Sequence, residues 1–319
     1  MSKTIINYDK LLVVCDCSAI RVVKRNMFSE NVTKKVLRYK DPECKLDIIV
    51  DFGHDIFSLE FTSSILRENM KELINAETIR RCFENINKLN VVALEIDYIL
   101  EHAIVCKADV TMDKCADDLF IKELVAYTKL NLLNNHKFLV EDYGSNGMVL
   151  RQISKANTKP RKHRMVVYNK QKEYENNYKD KSSYVPGLFK GIYRIERNLI
   201  CKAQIREALN ITDCSLNEVL NSSASPFLPL YEKMVDINQK PVYVTSERRE
   251  KEIRRRVERN NWDIRKIEEE LRGDYKLFLT KRLLPYKRFI AENSNLKDKT
   301  FTPEIIGFFS LPTEKPHLF

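Results

Sequence analysis

The chain has 319 residues, long enough for one large domain or two ordinary ones with buried cores. Its 43% hydrophobic and 31% charged residues exclude a disordered chain, and seven glycines without a GxxxxGK or GxGxxG run argue against a glycine-rich phosphate loop. A net charge of +10 points to a polyanionic partner, because lysines and arginines that neutralise phosphates release counterions; an inert basic surface is the other reading.

The predicted elements begin with two β-rich runs, Leu11–Val14 and Leu46–Phe52. The turn signal Gly53-His54-Asp55 then joins the second run to Ile56–Thr62, which predicts a hairpin. From Ile65 to Leu89 the apolar residues recur at three and four, the mark of a helical stripe or of two short helices. Ile104–Met112 reads as a strand and Asp118–Leu133 as an amphipathic helix. The segment Gly144–Lys172 has no Asp or Glu but carries Arg151, Lys155, Lys159, Arg161, Lys162, Arg164, Lys170 and Lys172, and within it Met165–Tyr168 reads as a strand. Ile192–Leu199 is a further strand. Helices are then predicted at Lys202–Leu209, at Ser215–Leu220 (with Ser215 and Glu218 in capping-box spacing) and at Ser246–Leu271, with Asn260-Asn261 as a break. These runs predict a mixed α+β chain that turns helical beyond about residue 200, with a boundary in the 200–225 stretch.

The eight cysteines, Cys15, Cys17, Cys44, Cys82, Cys106, Cys115, Cys201 and Cys214, form no CxxC pair, so a zinc site is not expected. With no signal peptide and no long apolar run, the expectation is reduced thiols in the cytoplasm and no membrane partner.

Strand residues two apart share a face. That rule groups Ser58, Glu60 and Thr62; Lys107, Asp109, Thr111 and Asp113; Tyr168, Lys170 and Lys172; and Arg194, Glu196 and Asn198. Carboxylates converging from different strands can hold Mg²⁺ or Mn²⁺, which take oxygen ligands and polarise a phosphate. A tyrosine hydroxyl can attack phosphorus, and a neighbouring lysine can stabilise the charge that develops. Taken singly, each residue also has a plain reading: a solvated carboxylate, an Arg194–Glu196 ion pair, a Tyr168 ring at the rim of the core.

Four segments resemble, in order, the gene II/gene X replication proteins of filamentous phages and plasmids. They are Phe57-Ser-Leu-Glu-Phe-Thr-Ser-Ser-Ile-Leu66, Cys106-Lys-Ala-Asp-Val-Thr-Met-Asp113, Val166-Val-Tyr-Asn-Lys-Gln-Lys-Glu173 and Tyr193-Arg-Ile-Glu-Arg-Asn-Leu199. The resemblance spans about residues 45–225 and implies a rolling-circle initiator related to the HUH endonucleases, which nicks and rejoins one DNA strand through a phosphotyrosine intermediate. It implies an α+β nuclease domain over 1–205, built on an antiparallel sheet with flanking helices, followed by a mostly helical accessory region over 206–319 that binds DNA or a partner. It implies Tyr168 as nucleophile, Lys170 beside it, and Asp109, Glu196 and Glu60 as metal-binding acids. The chain departs from the pattern in lacking a His-hydrophobic-His motif and in carrying Lys107 where arginine is usual. Tyr174 and Tyr178 lie four apart in the Tyr-rich connector that follows Lys172, a spacing that would put them on one face of a helix and that resembles the paired tyrosines of some HUH initiators; they are alternative nucleophiles. Origin DNA is the expected partner, with a host helicase as a further one. Arg151, Lys155, Lys159, Arg161, Lys162, Arg164 and Lys172 are the expected DNA contacts. A conjugative relaxase with the same chemistry and a non-catalytic DNA-binding repressor remain the rival readings.

Overall fold

Alternation of apolar and polar residues builds the centre of the molecule. In the computed structural model, which describes residues 5–133, 137–144, 147–153, 163–179, 184–237, 248–274, 279–292 and 302–311, ten strands form one antiparallel sheet. Its N-terminal half contains β1 (Asn7–Asp16), β3 (Ser29–Asn31), β4 (Val36–Asp41), β5 (Leu46–Asp51) and β6 (Ile56–Thr62). Its C-terminal half contains β8 (Ile104–Cys115), β9 (Phe138–Asp142), β10 (Met148–Gln152), β11 (Arg164–Asn169) and β12 (Ile192–Leu199). The strands lie in the order β3-β4-β5-β6-β1-β8-β12-β11-β10-β9, while β2 (Ile20–Val22) and β7 (Val92–Leu94) make a separate pair. The α+β class with an antiparallel sheet is as the sequence predicts, and the β5–β6 hairpin pairs Asp51 with Ile56 across the expected turn.

One face of the sheet buries Leu11, Val13, Ala108, Val110, Met165, Val167, Tyr193 and Ile195 in the main core. Helices α1 (Ile79–Lys88), α2 (Ile96–His102), α3 (Asp118–Leu130), α5 (Lys202–Leu209), α6 (Leu216–Asn221) and α7 (Leu228–Met234) contribute buried residues to that core. Ser215 caps α6 by accepting from the Glu218 amide, as the capping-box spacing predicts. A division at residue 205 falls inside α5, whose Ile205, Ala208 and Leu209 are buried in the main core, as are Leu216 and Tyr231 further on. A second core, of Val257, Trp262, Ile267, Leu271, Leu283, Tyr286 and Phe289, is built by α8 (Arg248–Arg259), α9 (Ile264–Asp274), α10 (Leu279–Glu292) and the turn between the first two, which supplies Trp262. The predicted helix over 246–271 is two helices, since Asn261 and Trp262 adopt left-handed φ values of 52° and 63°. Helix α11 (Thr302–Phe309) returns to the main core, its Phe309 stacked on Tyr231.

Between β11 and β12 the chain forms α4 (Lys170–Tyr178), which packs over both strands. Here the strand ends earlier than its alternation suggests. Asn169 caps α4 by accepting from the Lys172 amide, so Lys170 and Lys172 are helical rather than on the strand face of Tyr168.

Candidate active site

The sheet face opposite the main core carries the polar residues picked out by two-residue periodicity. Register brings them together: Tyr168 pairs with Arg194, Arg194 with Asp113, Glu196 with Thr111, Asn198 with Asp109, and Asp109 with Lys10. A register shift in β1 between Tyr8 and Lys10 brings Asp9, between them, to the same place.

Arg194 is the centre of this network, only 1% exposed. Its Nε and Nη2 donate to the two carboxylate oxygens of Asp113 at 2.7 and 2.8 Å, and its Nη1 donates to Asp9 at 2.8 Å. Burial works against the Arg194 charge, but Asp113 and Asp9 hold the guanidinium firmly protonated. Burial likewise works against the Asp9 charge, yet Arg194, then Lys170 and a hydrogen bond from Ser63, bring its pKa down to about 2. Arg194 therefore ties β1, β8 and β12 together and does not pair with Glu196, its neighbour along the strand.

Glu196 faces Tyr168. The phenol donates to Glu196 Oε1 at 2.6 Å across the β11–β12 pair. Burial, then the negative charge of Asp9, pushes the Glu196 pKa up to about 7 against the opposing pull of Arg194. The Tyr168 hydroxyl is raised far above its ordinary value, first by burial and next by Glu196. Lys170 is also buried; its Nζ donates to Glu173 at 2.7 Å and lies 5.8 Å from the centre of the Tyr168 ring. The lysine thus reaches the tyrosine from the first turn of α4, not along a shared strand.

The three expected metal-binding acids lie on three strands, and each accepts a hydrogen bond from the protein. Asp109 accepts from Asn198 at 2.7 Å, and its pKa is raised by burial despite Asn198 and Lys10. Glu60 lies on β6, two strands from Asp109, and accepts from Lys10 at 2.9 Å. Among the described residues no three His, Cys, Asp or Glu side chains group to hold a metal ion. The negative charge of Asp9 raises the pKa of both Asp109 and Glu196. Mg²⁺ commonly takes one or two carboxylates and completes its shell with water and substrate phosphate, so a single acid of this face with a bound phosphate is enough to hold it.

Tyr174 and Tyr178 are buried and stack at 5.0 Å, with Phe189 packed on Tyr174 in the same small cluster. The Tyr174 hydroxyl accepts from the Val185 amide. These contacts give both rings a packing role under α4. Among the expected DNA contacts, Arg151 forms a bidentate pair with Glu141 at 2.6 Å and Arg164 donates to Asn198, both on the polar face. Lys172 is exposed on α4, and Lys155, Lys159, Arg161 and Lys162 lie outside the described residues. Sequence reading missed Asp9; the signal available was a carboxylate in the middle of the β-rich Asn7–Val14 run.

No protein-family model and no curated protein matches the chain. Among solved structures it is similar to a rolling circle replication initiator protein from Geobacillus stearothermophilus, at 14% identity and a TM-score of 0.32, over 62% of this chain and 75% of that one. No helix among the described residues is long and apolar enough to cross a membrane.

Proposed function

We propose that the protein nicks and rejoins one strand of DNA at an origin by tyrosine transesterification, as an initiator of rolling-circle replication. The observation that carries this reading is the Tyr168–Glu196 hydrogen bond, a phenol held by a carboxylate whose pKa lies near neutrality. A phenol held this far above its ordinary pKa is scarcely ionised at neutral pH, so almost no free phenolate is present to attack. Glu196 resolves this by taking the proton as the Tyr168 oxygen attacks phosphorus, the role of a general base poised near the working pH. The new bond joins Tyr168 Oη to phosphorus, and the bond from phosphorus to the leaving deoxyribose oxygen breaks. The proton on Glu196 is then available to that oxygen. One phosphoester replaces another, so rejoining is the reverse reaction and needs no nucleotide.

Lys170, within reach of the Tyr168 ring, supplies positive charge as the phosphorus becomes five-coordinate. Arg194 is spent on Asp9 and Asp113, so it positions the strands rather than contacting DNA. A Mg²⁺ or Mn²⁺ ion held by Asp109, Asp9 or Glu196 together with the phosphate would offset charge on the leaving oxygen. Arg164 and Lys172 lie to either side of Tyr168 and would hold the flanking phosphates.

The test is covalent capture. Supercoiled DNA of the replicon that carries the gene, incubated with the protein and Mn²⁺, should give nicked circles and an adduct that mass spectrometry maps to Tyr168. Tyr168→Phe should bind the same DNA and form no adduct. Adduct formation by that variant at the wild-type rate would refute the assignment. Tight binding without any adduct to the wild-type protein would favour the repressor reading.

A further inference from the structure

Beside the Tyr168 ring lies a cavity of about 350 Å³ that the nicking chemistry leaves without a role. It opens between the end of the β9–β10 hairpin and helix α4. Its lining includes Tyr143, Tyr168, Asn169, Lys172, Asn176 and Asn177. Tyr143 is 41% exposed, and its ring sits 5.6 Å from that of Tyr168, inclined at 55°. An exposed aromatic face at a cavity mouth is a stacking platform for a flat ring.

The backbone is built to place that ring there. The Tyr143 amide donates to the Gly147 carbonyl at 3.0 Å, closing the hairpin end. A Cβ on Gly147 would lie 2.4 Å from the Val167 carbonyl oxygen and 2.8 Å from that of Tyr143. Only glycine lets the hairpin end approach β11 this closely, so its absent side chain sets Tyr143 against Tyr168. On the other wall, Asn169 is oriented by capping α4, and Asn177 donates to the Glu173 carbonyl at 3.0 Å. Asn176 is exposed on the same helix, beside this pair.

We infer that this cavity takes one unpaired nucleobase of the DNA strand next to the phosphate attacked by Tyr168, stacked on Tyr143 and met at its edge by the Asn176 amide. A nucleobase matches the cavity in kind. It has a flat π face for the tyrosine, donors and acceptors at its rim for an amide, and a phosphate on either side for Lys172. The inference rests on the proposed DNA-nicking function and adds to it a base-binding site. Holding that base out of the stack would fix the neighbouring phosphodiester against Tyr168 Oη.

The experiment compares two labelled probes by fluorescence anisotropy: an oligothymidylate of about 12 nucleotides, within ordinary single-strand site sizes, and an abasic oligomer of equal length. Both carry the phosphates and only the first carries bases. Tyr143→Ala should weaken oligothymidylate binding by roughly 5- to 150-fold, the range expected for loss of one base–aromatic stack, and leave the abasic probe unchanged. Tyr143→Phe, which keeps the ring, should bind both probes as the wild type does. Asn176→Leu, at an exposed helix position, should also weaken oligothymidylate alone, and this guards against misfolding of the alanine variant. Equal weakening on both probes by Tyr143→Ala and Asn176→Leu, or no weakening on either, overturns the base site while leaving the DNA reading standing. Failure of the wild-type protein to bind either probe overturns both.

Discussion

Replacing Glu196 by glutamine should make the protein more stable at alkaline pH while removing its activity. In the fold the Glu196 carboxyl is pushed from its ordinary 4.5 up to about 7 by burial and by Asp9. A carboxyl with a higher pKa in the folded state holds its proton more tightly there, so its contribution to stability is fully present below pH 4.5. It is lost as pH rises through about 7. The interval corresponds to about 3 kcal/mol. Asp9 acts with the opposite sign: its pKa of about 2 lies below the ordinary 3.8, so its contribution is present above 3.8 and is lost as pH falls through 2. Glutamine keeps an oxygen to accept from Tyr168 and cannot ionise, so Glu196→Gln should gain up to about 3 kcal/mol over the wild type on going from about pH 4.5 to about pH 8. Urea unfolding followed by circular dichroism, with EDTA present to exclude bound metal, measures that gap. If the gap between variant and wild type is the same at both pH values, Glu196 does not carry the raised pKa, and its role as base loses its support.

Lys170→Ala should slow single-turnover nicking by roughly 100-fold or more, as loss of a group aimed at developing charge does, while DNA affinity in the same titration changes little; a loss confined to affinity would place Lys170 on the flanking backbone instead. Arg164→Ala should reduce the slope of log affinity against log salt by roughly 0.7 on single strands, the value for one phosphate contact, whereas Arg151→Ala should leave it nearly unchanged, because Glu141 already neutralises that guanidinium. Equal slope changes for the two would show that the Arg151–Glu141 pair opens on DNA.

Much of the sheet was legible because a strand with one wet face writes its period into the sequence. β6, β12 and α5 lie where alternation and helical spacing put them, and β5 and β8 need only small changes at their ends. The polar residues of β6, β8 and β12 do share a face, as spacing two apart requires. Which of them meet was not legible, because contacts across a sheet depend on register. Arg194 and Glu196 are adjacent on one face in sequence, yet Arg194 pairs with Asp113, which lies directly opposite it, and with Asp9, supplied by a shift in β1. β11 ends within one residue of the Met165–Tyr168 run, but the grouping of Lys170 and Lys172 with Tyr168 on one strand face fails for a local reason. Asn169 is an N-cap residue and Glu173 lies in the first turn after it, but the Tyr-x-Lys-x-Lys alternation hides that signal. The three-residue strands β2, β3 and β7 are too short to show any period.

The charges on this face bear on how the proposed site would admit a phosphate. One guanidinium, Arg194, faces two carboxylates, Asp9 and Asp113, so this trio carries one net negative charge before Glu196 ionises, which Lys170 and Lys45 partly offset at Asp9. Lys170 is matched by Glu173, and Lys10 by Glu60. A phosphodiester approaching Tyr168 would add further negative charge in a place where water screens little. The raised pKa of Glu196 reflects the same opposition, since burial and Asp9 both work against its ionisation. Two things can offset the excess as the phosphate arrives: a proton kept on Glu196, or a divalent cation between the carboxylates and the phosphate. A protonated Glu196 cannot take the proton of Tyr168, so the first route stops the reaction it admits. A cation held by an acid of this face would admit the phosphate and leave Glu196 ionised as a base, and this is the physical case for Mg²⁺ or Mn²⁺ in the proposed mechanism.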